Sequence, residues 1–314
     1  MLIGISYALA ACLIWGLIFV VPGFMPEFNA IEIAFGRYLV YGSISTLFLL
    51  KSRLNHHGSY PLKIWLKATH FSLMATVVYY ISLVLALRYA NPAICALILG
   101  VSPITIAFYG NWKQRECSFK HLILPSVLIL VGLLIMNAPH LMNNEAASEY
   151  ALGLLLCLIS LLAWSWYVVA NAKFIKDHPH IPSNEWSTLI GVTSLIWIGL
   201  LGLFFGIFYS DSIDMTKYIT ISPELMNFIY GSLALGVLCS WLGAFLWNKA
   251  SPHLPVAIAG QLTIFETVFG LCFVYLLKQE LPPIMECLGI TLLLTAVGYG
   301  MTIPMERESI ETHS

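Results

Sequence analysis

Long apolar stretches alternate with short polar ones along almost the whole chain. A helix needs roughly 20 mostly apolar residues to cross a bilayer, and each apolar stretch is about that long. Proline-containing or polar clusters such as VPGFMPEFN and KDHPHIPSN separate the stretches. The pattern predicts ten membrane-spanning helices, at residues 2–21, 30–50, 67–88, 93–112, 119–137, 151–171, 184–208, 225–247, 254–277 and 284–303.

Composition supports an all-α integral membrane protein. Of the 314 residues, 59% are hydrophobic and 10% are charged, and the mean hydropathy is +0.83. Soluble domains usually carry about 25% charged residues, so we exclude a soluble enzyme. The seven cysteines are isolated, and we expect neither disulfides nor a metal site. We also expect no cofactor and no nucleic-acid partner.

The distribution of Lys and Arg predicts the orientation. With a cytoplasmic N-terminus, eleven of the fifteen Lys and Arg residues lie on the inside and three on the outside, while Arg37 falls within a helix. Basic residues near helix ends are enriched on the cytoplasmic side. We therefore expect both termini in the cytoplasm and a multi-pass location in the plasma (inner) membrane.

Several motifs recur in the two halves of the chain. Gly4 and Trp15 have the same spacing as Gly153 and Trp164, and PITIAFYGNWKQRE (103–116) aligns without gaps to TVFGLCFVYLLKQE (267–280). With five helices in each half, a duplication must be an inverted repeat. We expect the units 1–143 and 144–314, the second with a short cytoplasmic tail. In secondary transporters of this design the site lies near the membrane midplane, between the halves.

An ordered set of motifs resembles the ten-helix EamA-type exporters of the drug/metabolite transporter superfamily. The set comprises the Trp15-Gly16 end of helix 1, FGRYL (35–39), ALRYANPAICALILGVSPI (86–104), LLAWSWYVV (161–169), SPHLPVAIAG (251–260), Glu116 and Glu280. The resemblance implies two inverted five-helix repeats around a central cavity. It also implies the export of small metabolites or drugs, but it does not identify the substrate.

Glu266 is the single carboxylate in the apolar stretch from Leu254 to Leu277. An ionisable residue at this depth costs about 2.5–3.5 kcal/mol on insertion scales and usually faces the bundle interior or a wet cavity. We expect the small residues Ala259, Thr263 and Gly270 to leave room beside it, and Thr263 to donate a hydrogen bond to it. The carboxylate then binds the ammonium group of a substrate or carries a coupling proton. The alternative is a protonated glutamate that holds helices together.

Other polar and aromatic side chains also fall at membrane depth. Arg37 is either a clamp for a substrate carboxylate or a structural residue whose stem extends to the interface. Aromatic side chains with a few polar groups are typical of small-molecule sites. We expect such a cavity to be lined by Trp15, Tyr79, Tyr80, Ser102, Trp164, Tyr167 and Trp241. By contrast, we place Trp186 and Asn248 at the membrane interface.

These features favour a secondary active or facilitative transporter of a small-molecule substrate. A lone acidic residue in an aromatic cavity predicts export of amine-bearing metabolites, such as amino acids or polyamines, by alternating access. The alternative substrate is a cationic drug exchanged for protons. A membrane-embedded transferase and a membrane protein without transport activity are the alternatives of another class, but the chain has no GxSxG or HExxH motif. Because the duplicated chain completes its own cavity, we expect a monomer.

Overall fold

The computed structural model describes residues 1–54, 60–90, 92–141, 150–208 and 216–303. Within these ranges the chain is nearly all helical and has no strand. Nine of the described helical spans are long and apolar enough to cross a membrane, and the shorter apolar helix Ile284–Gly300 follows them. The predicted all-α fold with ten helices is confirmed. The expected boundary at 143/144 and the tail 304–314 lie outside the described residues.

Five membrane helices form the first half. Two short 3₁₀ turns, Gly16–Phe19 and Val21–Phe24, extend the first helix. The third helix contains a π-helical segment, Leu73–Val78, and begins at Leu62 rather than at residue 67. The helices are α1 Leu2–Trp15, α2 Ala30–Leu54, α3a Leu62–Ser72, α3b Tyr79–Tyr89, α4a Pro92–Gly100, α4b Ser102–Gln114 and α5 Phe119–Leu141.

Five further helices form the second half. The short helix Thr216–Ile219 precedes the eighth membrane helix, which contains its own π-helical segment, Ala234–Leu242. The ninth begins at Val256, so His253, Leu254 and Pro255 belong to the connection before it. The helices are α6 Tyr150–Asp177, α7 Ser183–Phe208, α8a Pro223–Leu233, α8b Gly243–Ala250, α9a Val256–Leu262, α9b Ile264–Lys278 and α10 Ile284–Gly300.

Irregularities of the backbone occur at corresponding places in the two halves. The third and eighth helices each contain a π segment, and the fourth and ninth are each interrupted. Pro103 lies at the start of α4b, where its missing N–H is tolerated. Both interrupted helices end in a left-handed residue, Arg115 (φ 50°) and Gln279 (φ 55°), which are aligned partners in the gapless sequence match. These paired deviations support a duplication, and its inverted sense stays a prediction.

The helix contacts follow the same two-fold pattern. Helix α1 packs against α8b, and its counterpart α6 packs against α3b, the counterpart of α8b. In the same way α2 packs against α8a, and its counterpart α7 packs against α3a. The corresponding helices α2 and α7 pack on each other, and so do α5 and α10. A Cβ on Gly289 would lie 2.7 Å from the carbonyl oxygen of Gly132. Small residues therefore allow the α5 and α10 backbones to approach closely, as in other membrane bundles.

Candidate functional site

Glu266 lies in the first turn of α9b, just after the interruption of the ninth helix at Thr263. Its N–H donates to the carbonyl oxygen of Thr263 at 3.0 Å, whereas a continuous α-helix would use the carbonyl of Leu262. The thiol of Cys12 donates to that Leu262 carbonyl at 3.4 Å. A helix N-terminus stabilises negative charge. Interrupted helices whose ends face the substrate are a common arrangement in transporter sites.

The Glu266 side chain is half-buried and makes no hydrogen bond or ion pair with any residue that the structure describes. The expected bond from Thr263 is wrong, because the buried Thr263 hydroxyl donates to the carbonyl of Gly260 at 2.6 Å. The expected space at Gly270 is filled by Phe19, whose ring would lie 2.4 Å from a Cβ at that position. The two neighbours therefore neither bond to the carboxylate nor, at Gly270, leave an empty space.

Five of the predicted aromatic side chains form a continuous cluster. Its ring centroids are separated by 6.3 Å between Trp15 and Trp164, 4.9 Å between Trp164 and Tyr79, and 6.4 Å between Tyr79 and Tyr80. Tyr167 stacks on Trp164 at 5.6 Å. Because α1 and α3b belong to the first half and α6 to the second, this aromatic cluster lies where the halves meet. Helix α9b, which carries Glu266, packs against α1 and against the Gly16–Phe19 turn that follows Trp15.

Arg37 extends the aromatic cluster at the Tyr80 end. Its guanidinium carbon lies 5.3 Å from the ring centroid of Tyr38 and 5.9 Å from that of Tyr80. Its Nε donates to the hydroxyl of Ser240 at 2.8 Å. The side chain therefore reaches into the bundle rather than toward the interface. Its terminal nitrogens have no carboxylate within 4.0 Å among the described residues.

Trp241 and Ser102 do not join the ring contacts of the cluster. Trp241 packs against Phe48 at 4.7 Å and Phe245 at 5.7 Å, and its indole N–H donates to Thr188. Trp241 also packs, like Tyr80, against the buried side chains of Tyr38 and Tyr41, so its place in the cavity wall stays a prediction. Ser102 is half-buried at the start of α4b and makes no hydrogen bond through its hydroxyl to any described residue.

Ser240 and Thr105 make polar contacts beside the aromatic cluster, Ser240 with Arg37 and Thr105 with Ser165. We did not select Ser240 from the sequence, although it directly precedes Trp241, which we did select. The Thr105 hydroxyl lies 2.6 Å from that of Ser165, one residue after Trp164. This contact joins α4b to α6 beside the aromatic cluster.

Trp186 and Asn248 are each only 1% exposed, so neither side chain lies on the protein surface, while their depth in the membrane stays a prediction. Trp186 donates to the Asn171 side-chain oxygen at 2.7 Å, and the Asn171 amide donates to Asn248, also at 2.7 Å. Asn248 in turn donates to Ser187 at 2.8 Å. This closed network joins α6, α7 and α8b, so its polar groups are satisfied inside the bundle.

Glu116 holds the start of the ninth helix. Its two carboxylate oxygens accept the backbone N–H groups of Val256 at 2.9 Å and Ala257 at 3.0 Å. Both N–H groups belong to the first turn of α9a, where helical partners are missing. The sequence marked Glu116 as the end of the fourth helix but gave no sign of this second role.

The described residues contain no group of three His, Cys, Asp or Glu side chains suited to a metal ion.

Comparisons with known proteins agree with this architecture. The chain is 32% identical to inner membrane protein YtfF of Escherichia coli (strain K12), with 100% of this chain and 99% of that protein covered. It is 20% identical to an uncharacterized transporter of Archaeoglobus fulgidus, over 88% of this chain and 90% of the relative. A solved structure titled only "Crystal structure of protein" has a TM-score of 0.73 at 16% identity, with 94% of this chain and 95% of the other covered, which shows a shared fold.

The family comparison spans both halves of the chain. The EamA-like transporter family matches residues 2–138 and 151–299. The match thus includes both interrupted helices and every residue of the aromatic cluster. These observations confirm the resemblance seen in the sequence, and they support a transporter role for a multi-pass membrane protein. The chain belongs to the EamA-like transporter family.

Proposed function

We propose that this transporter exports small amine-bearing metabolites, with amino acids as the foremost class, by alternating access. The observation that carries the proposal is the Glu266 carboxylate at the interruption of the ninth helix, which has no hydrogen-bond or ion-pair partner among the described residues. A buried charge is normally paired or hydrogen-bonded by the protein. A carboxylate left without such a partner, next to an aromatic cluster, favours a cationic ligand.

The aromatic cluster supports the same substrate class. The cluster offers aromatic ring faces, including those of Tyr79 and Trp164 with centroids 4.9 Å apart, and Glu266 is on α9b, which packs against α1, the helix that ends at Trp15. A cation over such a face gains about 2 kcal/mol when it is desolvated. An ammonium group would thus be bound by a charge and by ring faces together, while the rings exclude water.

Arg37 favours a zwitterion over a simple amine. Its Nε is used by Ser240, which fixes the plane of the guanidinium and leaves its terminal nitrogens for another acceptor. Arginine binds carboxylates through two parallel hydrogen bonds. An amino acid carries both required charges, and its carboxylate and ammonium would pair with Arg37 and Glu266.

The second candidate is a proton-coupled exporter of cationic drugs. The unpaired Glu266 supports this alternative too, since a carboxylate inside a membrane can carry a proton. A flat organic cation would stack on the aromatic cluster without using Arg37.

We place the protein in the inner membrane with both termini in the cytoplasm, working as a monomer.

Transport in oriented vesicles tests the proposal. Purified protein is reconstituted into liposomes, and the uptake of radiolabelled amino acids, polyamines and a cationic dye is measured with and without a pH gradient. We expect saturable amino-acid transport that an unlabelled amino acid inhibits. Dye transport that depends on the pH gradient, with no amino-acid transport, would favour the second candidate.

A further inference from the structure

Two tyrosine–glutamate hydrogen bonds lie outside the aromatic cluster, at corresponding positions in the two halves. The Tyr218 hydroxyl donates to Glu32 at 2.7 Å, and the Tyr60 hydroxyl donates to Glu185. Glu32 is the third residue of α2 and Glu185 is the third residue of α7. Each tyrosine lies on the connection that leads into α8a or α3a. The two bonds are therefore counterparts in the duplicated chain.

Each bond joins one half of the protein to the other. Glu32 belongs to the first half and Tyr218 to the second, while Tyr60 belongs to the first and Glu185 to the second. The Lys217 ammonium, also in the second half, lies 2.6 Å from the same Glu32 oxygen and adds an ion pair between the halves. Burial, followed by the bonded glutamate, raises the pKa of Tyr60 and of Tyr218. Both phenols therefore remain protonated donors at neutral pH.

The two helical segments that follow these bonds are alike. Both α3a and α8a contain 11 residues, and a π segment follows each of them directly. Such segments are weaker than regular α-helix and often occur at functional sites. The first π segment leads into Tyr79 of the aromatic cluster, and the second contains Ser240, the partner of Arg37. Each segment is thus fastened at its start and adjoins the candidate site at its end.

We propose that α3a and α8a are the two gates of the transporter. Each gate bends at its π segment and is latched at its start, α3a by the Tyr60–Glu185 bond and α8a by the Tyr218–Glu32 bond. With the orientation that the Lys and Arg residues predict, the first latch closes the cytoplasmic side and the second closes the outer side. The inference rests on the proposed alternating access, which requires the two sides to open in turn.

Hydrogen–deuterium exchange of the purified full-length protein tests the gates without any substrate. The variants are Tyr60→Phe and Tyr218→Phe, which keep the ring and remove the donor. Loss of a hydrogen bond to a charged group should speed local opening by roughly tenfold or more. We expect faster amide exchange in α3a alone for Tyr60→Phe and in α8a alone for Tyr218→Phe. Tyr230→Phe is the control, because Tyr230 lies on α8a with 62% of its surface exposed.

A second pair of variants changes the glutamate that accepts the hydrogen bond in each latch. Glu185→Gln and Glu32→Gln keep an acceptor oxygen and remove the charge, so we expect smaller increases in the same segments. Unchanged exchange in both tyrosine variants, or a uniform increase throughout the protein, would overturn the proposal. Because no ligand is present, this result is independent of whether an amine is transported. A failed transport assay with segment-specific exchange would contradict the substrate and retain the gates.

Discussion

The indole nitrogen of Trp15 donates a hydrogen bond to the backbone carbonyl oxygen of Cys239, 2.8 Å away. The Cys239 thiol donates in return to the carbonyl of Ile14 at 3.3 Å. These bonds fasten the end of α1, in the first half, to the π segment of the eighth helix, in the second half. Trp15 therefore has two roles, since its ring is a member of the aromatic cluster and its N–H is a structural donor.

Replacement of Trp15 by phenylalanine should separate these roles. The ring remains aromatic, but the buried Cys239 carbonyl loses its donor, which costs about 1–3 kcal/mol. We expect a lower midpoint of thermal unfolding in detergent and largely retained ligand binding. Trp112→Phe is the matched control, because Trp112 is 62% exposed. Equal midpoints for the two variants would contradict the structural role.

Glu116→Gln should destabilise the protein through the ninth helix. A glutamine offers one acceptor oxygen and an amide donor, whereas Val256 and Ala257 both donate to Glu116. Loss of a charged hydrogen bond at a helix start costs about 1.5–3 kcal/mol. Unfolding midpoints can be compared with those of Glu280→Gln, the exposed residue at the aligned position. An equal effect of both substitutions would argue against the cap.

Gly289→Ala should weaken the contact between α5 and α10. The added Cβ would meet the carbonyl oxygen of Gly132 at 2.7 Å and the Met136 side chain at 2.1 Å. Overpacking of this kind costs about 1–3 kcal/mol. Gly298→Ala in the same helix has nothing within 4 Å of the new Cβ, and we expect it to be neutral or stabilising. Thermal unfolding of the two variants checks the difference, and a stable Gly289→Ala variant would contradict the close packing.

The periodicity of the chain predicted the helices but neither the interruption of the ninth helix nor the π segments. A stretch that is apolar throughout gives the same hydropathy signal whether its helix is continuous, π-helical or broken. Hydropathy therefore could not reveal the break at Thr263 or the π-helical segment Ala234–Leu242. The members of the aromatic cluster were found because residue type, depth and the duplication agreed. The burial of Trp186 and Asn248 could not be predicted, because their hydrogen-bond partners lie on helices that are distant in sequence.

Arg37→Gln should change the substrate preference rather than the fold. Without the guanidinium, an amino acid loses the partner of its carboxylate, and the decarboxylated amine loses nothing. A charged hydrogen bond is worth about 1.5–3 kcal/mol, so we expect roughly tenfold to hundredfold weaker binding of the amino acid alone. Isothermal titration with both compounds measures the ratio. Equal weakening of both compounds would assign Arg37 a structural role.

The measurement that tests the central claim most directly is a thermal-shift screen of wild type and Glu266→Gln against amino acids, polyamines and cationic drugs. A ligand that binds the folded state raises its apparent stability, by about 2.7 kcal/mol at a hundredfold excess over Kd. We predict that an amine-bearing compound raises the unfolding temperature of the wild type and that Glu266→Gln, folded but uncharged at this site, loses the shift. An equal shift in both proteins would contradict Glu266 as the binding site of the ammonium group.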